Sequence, residues 1–320
     1  MSLPPSKRQS NTVIMGNTGD YKVETRSWSD LPHELLAPVA DGLGIIELLG
    51  FRGTCKDWRS ASSTASAEIE SSPHRKPWFL LYAEGNPQCQ LCNVSARTQY
   101  SINIPELEES ACLASNHGWL LLFNKGSILF FCPFSREKIE LPDFPHSEIS
   151  DHVAVFSAPP TSKKCTLCVI NRKDEHDMEL NILKRGEQKW DKVYYPDEER
   201  MDKVVGVGFR DKCFYFFDKD KKVLTYKKKE WEIYRIVVDS KAPAVILPFH
   251  SHRSCLMGNG ILKTWLNLGE DVSISTCGTR YGDDIVHNEN VEASKEGETR
   301  KLKGIWIHPR FLQAPSNQCW

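Results

Sequence analysis

Neither sign of charge dominates this 320-residue chain: 41 Lys and Arg stand against 42 Asp and Glu, a formal net charge of −1. That balance removes the electrostatic argument for general nucleic-acid binding, which needs many uncompensated cations facing phosphates. Long apolar runs are missing too. The longest, WFLLY at Trp78–Tyr82 and WLLLF at Trp119–Phe123, fall far short of the roughly twenty residues of a membrane helix, so neither nucleic acid nor membrane is an expected partner. Met1 to Arg26 carries Pro4-Pro5, Lys7-Arg8 and scattered Ser, Asn and Gly without the apolar centre of a signal peptide, and reads as a flexible leader. Eleven cysteines in that context are expected to be reduced thiols of a cytoplasmic or nuclear protein, most of them small core residues.

Catalytic signatures are equally scarce. No nucleophile elbow, phosphate loop or zinc-protease motif occurs, and Gly206-Val-Gly208 lacks the third glycine and following helix of a dinucleotide loop. Two CxxC pairs, Cys89/Cys92 and Cys165/Cys168, have zinc-like spacing but fall in strand-like sequence, where residues i and i+3 point to opposite faces and cannot share one ion. His250-Ser-His252 has no acidic third ligand nearby. The expectation is a non-catalytic protein with no cofactor, no metal and no catalytic residue.

What is present is organised around Trp28–Arg59, WSDLPHELLAPVADGLGIIELLGFRGTCKDWR. Ser29 or Asp30 can cap a helix that holds Pro32 in its first turn. Leu31, Leu35, Val39 and Leu43 then recur every four residues until Gly42 and Gly44 interrupt them. A second helix runs through Ile45, Ile46, Leu48, Leu49 and Phe51, and a third begins near Cys55, Lys56, Asp57 and Trp58. About forty residues bury too little surface to be comfortable alone, so a docking surface or a supporting domain is expected.

The order Trp28, Leu31-Pro32, Leu35-Leu36, Leu48-Leu49, Phe51-Arg52, Cys55-Lys56, Trp58-Arg59 resembles the F-box. The resemblance implies a three-helix element that binds the Skp-type adaptor of a cullin-based ubiquitin ligase. The adaptor-binding and supporting set would be Leu31, Pro32, Leu35, Leu36, Leu48, Leu49, Phe51, Cys55 and Trp58, with Arg52 and Arg59 at its edge. Gly50 departs from helix-forming sequence and costs roughly 1 kcal/mol against alanine.

Residues 61–76, with Ser62-Ser63 and Ser71-Ser72-Pro73, read as a linker between the F-box at 27–60 and a third region at 77–320. There the pattern changes to short apolar runs parted by turn residues, an all-β signature. Trp119–Phe123, Ile128–Cys132 and Lys138–Leu141 make one meander; Cys213–Phe217, Val223–Tyr226 and Trp231–Val238 make another; Cys165–Asn171, Met178–Leu183 and Lys192–Tyr195 lie between them. If the inner strands start near Trp78, Trp119, Cys165, Cys213 and Ser254, the interval of roughly 40 to 48 residues matches propeller blades, five or six in all, with a sandwich as the alternative. HGWLLLF, CPFSREKIELP and GIWIHPRF also resemble the C-terminal domain of plant F-box/kelch-like proteins, although the paired glycines of kelch blades are absent.

The expected fold class is therefore α+β multidomain: a short N-terminal three-helix F-box followed by an all-β, β-propeller domain. The expected function is a substrate-recognition subunit that holds the adaptor, and through it a cullin, at one end and a protein substrate at the other. An F-box scaffold outside ubiquitination and a β-propeller enzyme are the alternatives. Arg172–Asp177, Asp197–Asp202 and Tyr281–Asn290 are candidate contact loops on polarity alone, and no residue is assigned to substrate binding.

Overall fold

The computed structural model describes residues 28–71, 78–235 with short breaks, 273–312 with two short breaks and Trp320, together with a two-residue pairing of β1 (Ser10–Asn11) with β2 (Thr25–Arg26) inside the span read as a leader. It divides into two compact units, Met1–Ser72 and Pro73–Trp320.

In the first unit a 3-10 turn at Trp28–Asp30 precedes α1 (His33–Asp41), α2 (Ile45–Thr54), α3 (Lys56–Ala61) and α4 (Ser63–Ser71). Two expectations change. The cap of α1 is Pro32, whose carbonyl accepts from Leu35 and Leu36 at 3.0 and 3.2 Å, and neither Ser29 nor Asp30 caps it. A proline disfavours helical geometry in the residue before it, so α1 starts beyond Leu31. Within 61–76, read as a linker, Ser63–Ser71 forms the helix α4, so the described residues of this unit hold four α-helices where three were expected. Ala61, Ala65 and Ile69 are buried at four-residue spacing, an amphipathic signal diluted by the serines around it.

The second unit is built from antiparallel meanders in chain order. β6 (Ala111–Asn116), β7 (Trp119–Asn124), β8 (Ser127–Phe131) and β9 (Lys138–Glu140) form one sheet. β10 (Val153–Phe156), β11 (Thr166–Arg172), β12 (Asp177–Lys184) and β13 (Asp191–Pro196) form the next. β14 (Val204–Arg210), β15 (Cys213–Asp218), β16 (Lys222–Lys227) and β17 (Glu230–Arg235) form a third. The last sheet joins the two ends of the domain: β18 (Ser273–Tyr281), β19 (Asp284–Lys295) and β20 (Glu298–Ile307) continue into β3 (Trp78–Ala83), β4 (Asn86–Asn93) and β5 (Thr98–Asn103). β20 and β3 pair from Leu302↔Ala83 to Ile307↔Trp78, so the first and last parts of the domain share a ladder and close a propeller.

The blade phase differs from the expectation by one strand. β6 packs on β10, β10 on β14, and β14 on β18, so first strands meet around the centre, and the strands at Trp119, Cys165 and Cys213 are the second of their sheets. The strand expected at Ser254 lies outside the described residues. Crowding at the centre suits small residues such as Ala111, Ala114, Ala154 and Gly208, which carry little strand signal. The second strands are covered on both faces, and Trp119, Leu120 and Leu121 are all fully buried in an unbroken apolar run.

Tight turns set the registers. His117-Gly118 has φ of 51° and 82° between paired Asn116 and Trp119, and Lys125-Gly126 has 47° and 91° between paired Asn124 and Ser127. Two positive φ values give the turn twist that matches a right-handed hairpin. Gly118 is doubly constrained, since a Cβ there would stand 2.8 Å from that of Arg310.

The core between the second and third meanders holds Cys168, Ile170, Leu180, Ile182, Phe214, Phe216 and Leu224. Cysteines are part of such packing. Burial pushes the Cys89 thiol up to about 11 and those of Cys92, Cys112 and Cys165 to about 12. Thiolate is the reactive form. Native labelling with iodoacetamide at pH 8 is therefore expected to modify the half-buried Cys55 and to spare these four until the chain unfolds, as read by peptide mass spectrometry. Rapid native modification of Cys112 would refute that packing.

Candidate functional site

The nine residues assigned to adaptor binding and its support separate by exposure. Pro32 and Leu35 are exposed, Leu31, Leu49, Cys55 and Trp58 are half-buried, and Leu36, Leu48 and Phe51 are buried. A side chain with 0 to 6% of its surface exposed cannot be a contact, so Leu36, Leu48 and Phe51 support the helices from within. Leu35 is 59% exposed, and Val39, one turn later on α1, is 54% exposed. Trp28 adds a third exposed apolar side chain, at 52%. Apolar side chains at i and i+4 lie one above the other on a helix, so Leu35 and Val39 form a continuous strip facing water. Single exposed apolar residues are ordinary, and Leu35 and Val39 differ in being adjacent on one helix face. Val39 was absent from the assigned set, and its signal was the same four-residue stripe that contains Leu35.

Trp58 organises this surface from behind. Its ring packs on Phe51 with centroids 4.5 Å apart, and its Nε1–H donates to the Trp28 carbonyl at 3.1 Å, tying the 3-10 turn to α3.

Arg52, expected at the edge, is buried. Its Nη1 donates to the hydroxyls of Ser62 and Ser66, both at 2.9 Å, and to the Arg59 carbonyl at 3.2 Å. Burial, and then the nearby charge of Arg59, lower its pKa from the ordinary value, and these oxygens are the compensation. The guanidinium thus joins α2 to α3 and α4, a role invisible while 61–76 reads as linker. Arg59 remains exposed.

Gly50 is exposed in α2, and a Cβ there meets nothing within 4 Å. Gly50→Ala is expected to stabilise the helical unit by about 1 kcal/mol, read as a higher denaturation midpoint of the isolated transition. Unchanged or lower stability would mean that the glycine is needed where it stands.

In the β unit, an open cleft of about 580 Å³ lies among Leu141, Pro142, Asp143, Pro145, Trp190 and Lys192. Beside it Glu179, 2% exposed, accepts from His146 Nε2 at 2.5 Å and from Asn181 Nδ2 at 2.8 Å, with Lys192 Nζ at 3.7 Å. Burial alone would raise this carboxyl, but the hydrogen bonds and the charges of His146 and Lys192 outweigh it and hold the pKa below its usual value. The sequence carried no sign of this arrangement, because its members come from β12, β13 and the loop after β9. Of the polar loops expected to meet a substrate, 173–176, 197–200, 202 and 282–283 lie outside the described residues, and the rest of Tyr281–Asn290 is strand in place of loop, Tyr281 ending β18 and Asp284 opening β19. Among the described residues no group of three or more His, Cys, Asp or Glu is placed to hold a metal ion.

Comparison with known proteins bears on both units. The family described as F-box domain matches residues 28–66, and the family described as KIB1-4 beta-propeller matches residues 91–263, more than half of the chain. An F-box protein of Arabidopsis thaliana is 25% identical over 66% of this chain and 54% of its own length. A second Arabidopsis F-box protein is 27% identical over 47% of this chain and 39% of its own. An Arabidopsis F-box/kelch-repeat protein is 28% identical over 61% and 54% respectively. The chain thus spans about half the length, or less, of these relatives.

Proposed function

The chain belongs to the KIB1-4 beta-propeller family and carries an F-box ahead of that domain, and from this premise we propose that it is the substrate receptor of a Skp-cullin-F-box ubiquitin ligase. The observation that carries the proposal is the water-facing strip of Leu35 and Val39 with Trp28 nearby, inside the segment that matches the F-box. The Skp-type adaptor covers that strip, the cullin follows through the adaptor, and the propeller holds a protein substrate. Catalysis in this arrangement is positional. Tethering a substrate near a ubiquitin-charged enzyme raises its effective concentration, and the receptor itself makes and breaks no bond. The free thiols among the described residues suit a reducing cytoplasm or nucleus, where we place the protein.

The test is capture of a purified Skp-type adaptor by the full chain, followed by assembly with a cullin. A stable complex supports the receptor reading. A folded chain that captures no adaptor at micromolar concentration sinks it and brings forward the scaffold acting outside ubiquitination.

A further inference from the structure

One tight turn of the β unit lacks the residues its backbone favours. Lys228 and Lys229 join β16 to β17 between paired Lys227 and Glu230, with φ of 51° and 70°. A turn with both φ values positive favours asparagine and glycine, because a Cβ crowds the backbone there. His117-Gly118 and Lys125-Gly126 have glycine in the second place, whereas this turn has lysine in both. Lys212, with φ of 61°, ends the turn from β14 to β15. Phe214 of β15 pairs with Tyr226 of β16, so Lys212 and Lys227 follow at one end of the sheet, and the two turns share that end. Backbone strain of this kind clusters at positions that hold a ligand.

The side chains give that end its charge. Lys212, Lys227, Lys228 and Lys229 are all exposed. Over residues 210–213 and 227–230 the sequence holds these four and Arg210 against Asp211 and Glu230, in a chain whose charges nearly cancel. Lys125, Arg136, Lys138, Lys184 and Lys192 each have a carboxylate within 4.0 Å, and the four lysines have none among the described residues. Neighbouring strands lie about 4.8 Å apart, which puts the two turns about 10 Å from each other, close to the screening length at 0.1 M salt. Their charges therefore act together on a ligand.

We propose that this end of the third meander is the docking site for an acidic segment of a protein partner, whose Asp and Glu carboxylates the four lysines meet. An extended chain advances about 3.3 Å per residue, so a run of about four acidic residues spans both turns. Nucleic acid fits less well. The described turn residues carry no aromatic ring on which a base would stack, and the chain has no overall excess of positive charge. That the partner is a ligase substrate rests on the receptor reading; the charge of the turns does not.

The test follows a fluorescein-labelled decaglutamate peptide by anisotropy as the full chain is added. Saturable binding is expected on the order of 100 μM at about 20 mM salt, weakening about tenfold at about 150 mM. Lys228→Asn with Lys229→Gly supplies the residues such a turn prefers, so this variant is expected to melt about 2 to 6 °C higher and yet to bind about tenfold more weakly. Lys163→Asn with Lys164→Asn removes as much charge from exposed positions of the preceding meander and is expected to change the affinity less than about twofold. The inference is overturned if the folded, unsubstituted chain does not bind the peptide, or if the Lys228/Lys229 variant binds it equally well. It is overturned too if the Lys163/Lys164 variant loses as much, or if a single-stranded oligonucleotide of the same charge binds more tightly. Adaptor capture by the unsubstituted chain keeps the two readings apart. Its failure beside intact peptide binding counts against the receptor and leaves the docking site standing.

Discussion

Replacing Leu35 and Val39 together with alanine is expected to weaken adaptor binding more than a hundredfold while leaving the melting temperature within a degree or two. Both side chains are more than half exposed, so truncating them opens no cavity, and alanine is the better helix former at either position. Their loss would be felt only in a complex that buries them. There it amounts to about 3 kcal/mol for the pair, or more than two decades in the dissociation constant. Leu36→Ala is the contrasting control. Leu36 is 2% exposed, and its truncation should cost about 3 kcal/mol of stability in the helical unit before any partner is added. Trp58→Ala would mix the two effects, because it also removes the packing on Phe51 and the hydrogen bond to Trp28. Calorimetric titration of a Skp-type adaptor beside thermal melts of each variant decides the matter. Full affinity in the Leu35/Val39 variant would show that the strip is not the contact.

Gly304→Ala is expected to be the most damaging one-atom change in the propeller. Gly304 lies in β20 opposite Leu81 of β3, and the ring of Phe79, the diagonal neighbour, lies across it. A Cβ at 304 would stand 2.8 Å from Cε1 and 3.1 Å from Cε2 of that ring. The ring has nowhere to go: Phe79 is fully buried and meets Trp306 edge-on, with centroids 5.0 Å apart. Forcing extra volume into such packing costs about 3 kcal/mol, and the strand it distorts is the one that joins the first and last parts of the domain. For a unit of this size the melting temperature should fall by about 6 to 12 °C. Phe79→Leu in the same chain removes part of the obstruction, so the double substitution should cost clearly less than the sum of the single ones. Additive losses would mean that Gly304 matters for a reason other than this ring.

Much of the architecture was readable along the chain because its signals are local. The stripe of Leu31, Leu35, Val39 and Leu43 announces a helix, and WLLLF, a glycine turn and ILFFC announce a hairpin, which the structure places at Trp119–Asn124 and Ser127–Phe131. The order of tryptophans, leucines and prolines from Trp28 to Arg59 was enough to place the chain beside the F-box, and the match over residues 28–66 agrees. Where reading failed, the deciding contact was distant. Arg52 looked like an edge residue until Ser62 and Ser66, ten and fourteen positions away, turned out to be its partners. The blade phase slipped by one strand because central strands are built from small residues while their neighbours carry the aromatic signal.

The sequence by itself determined where helical period gives way to strands, that a helical F-box precedes a β domain, and which family each part resembles. These follow from spacing and side-chain type over a few residues. Only the tertiary structure decided which apolar residues of α1 face water, that Arg52 joins three helices from within, that β20 pairs with β3, and that Trp320 lies against Phe130. Each of those depends on which distant segments pack together, and burial is a property of the packed chain that no local pattern contains.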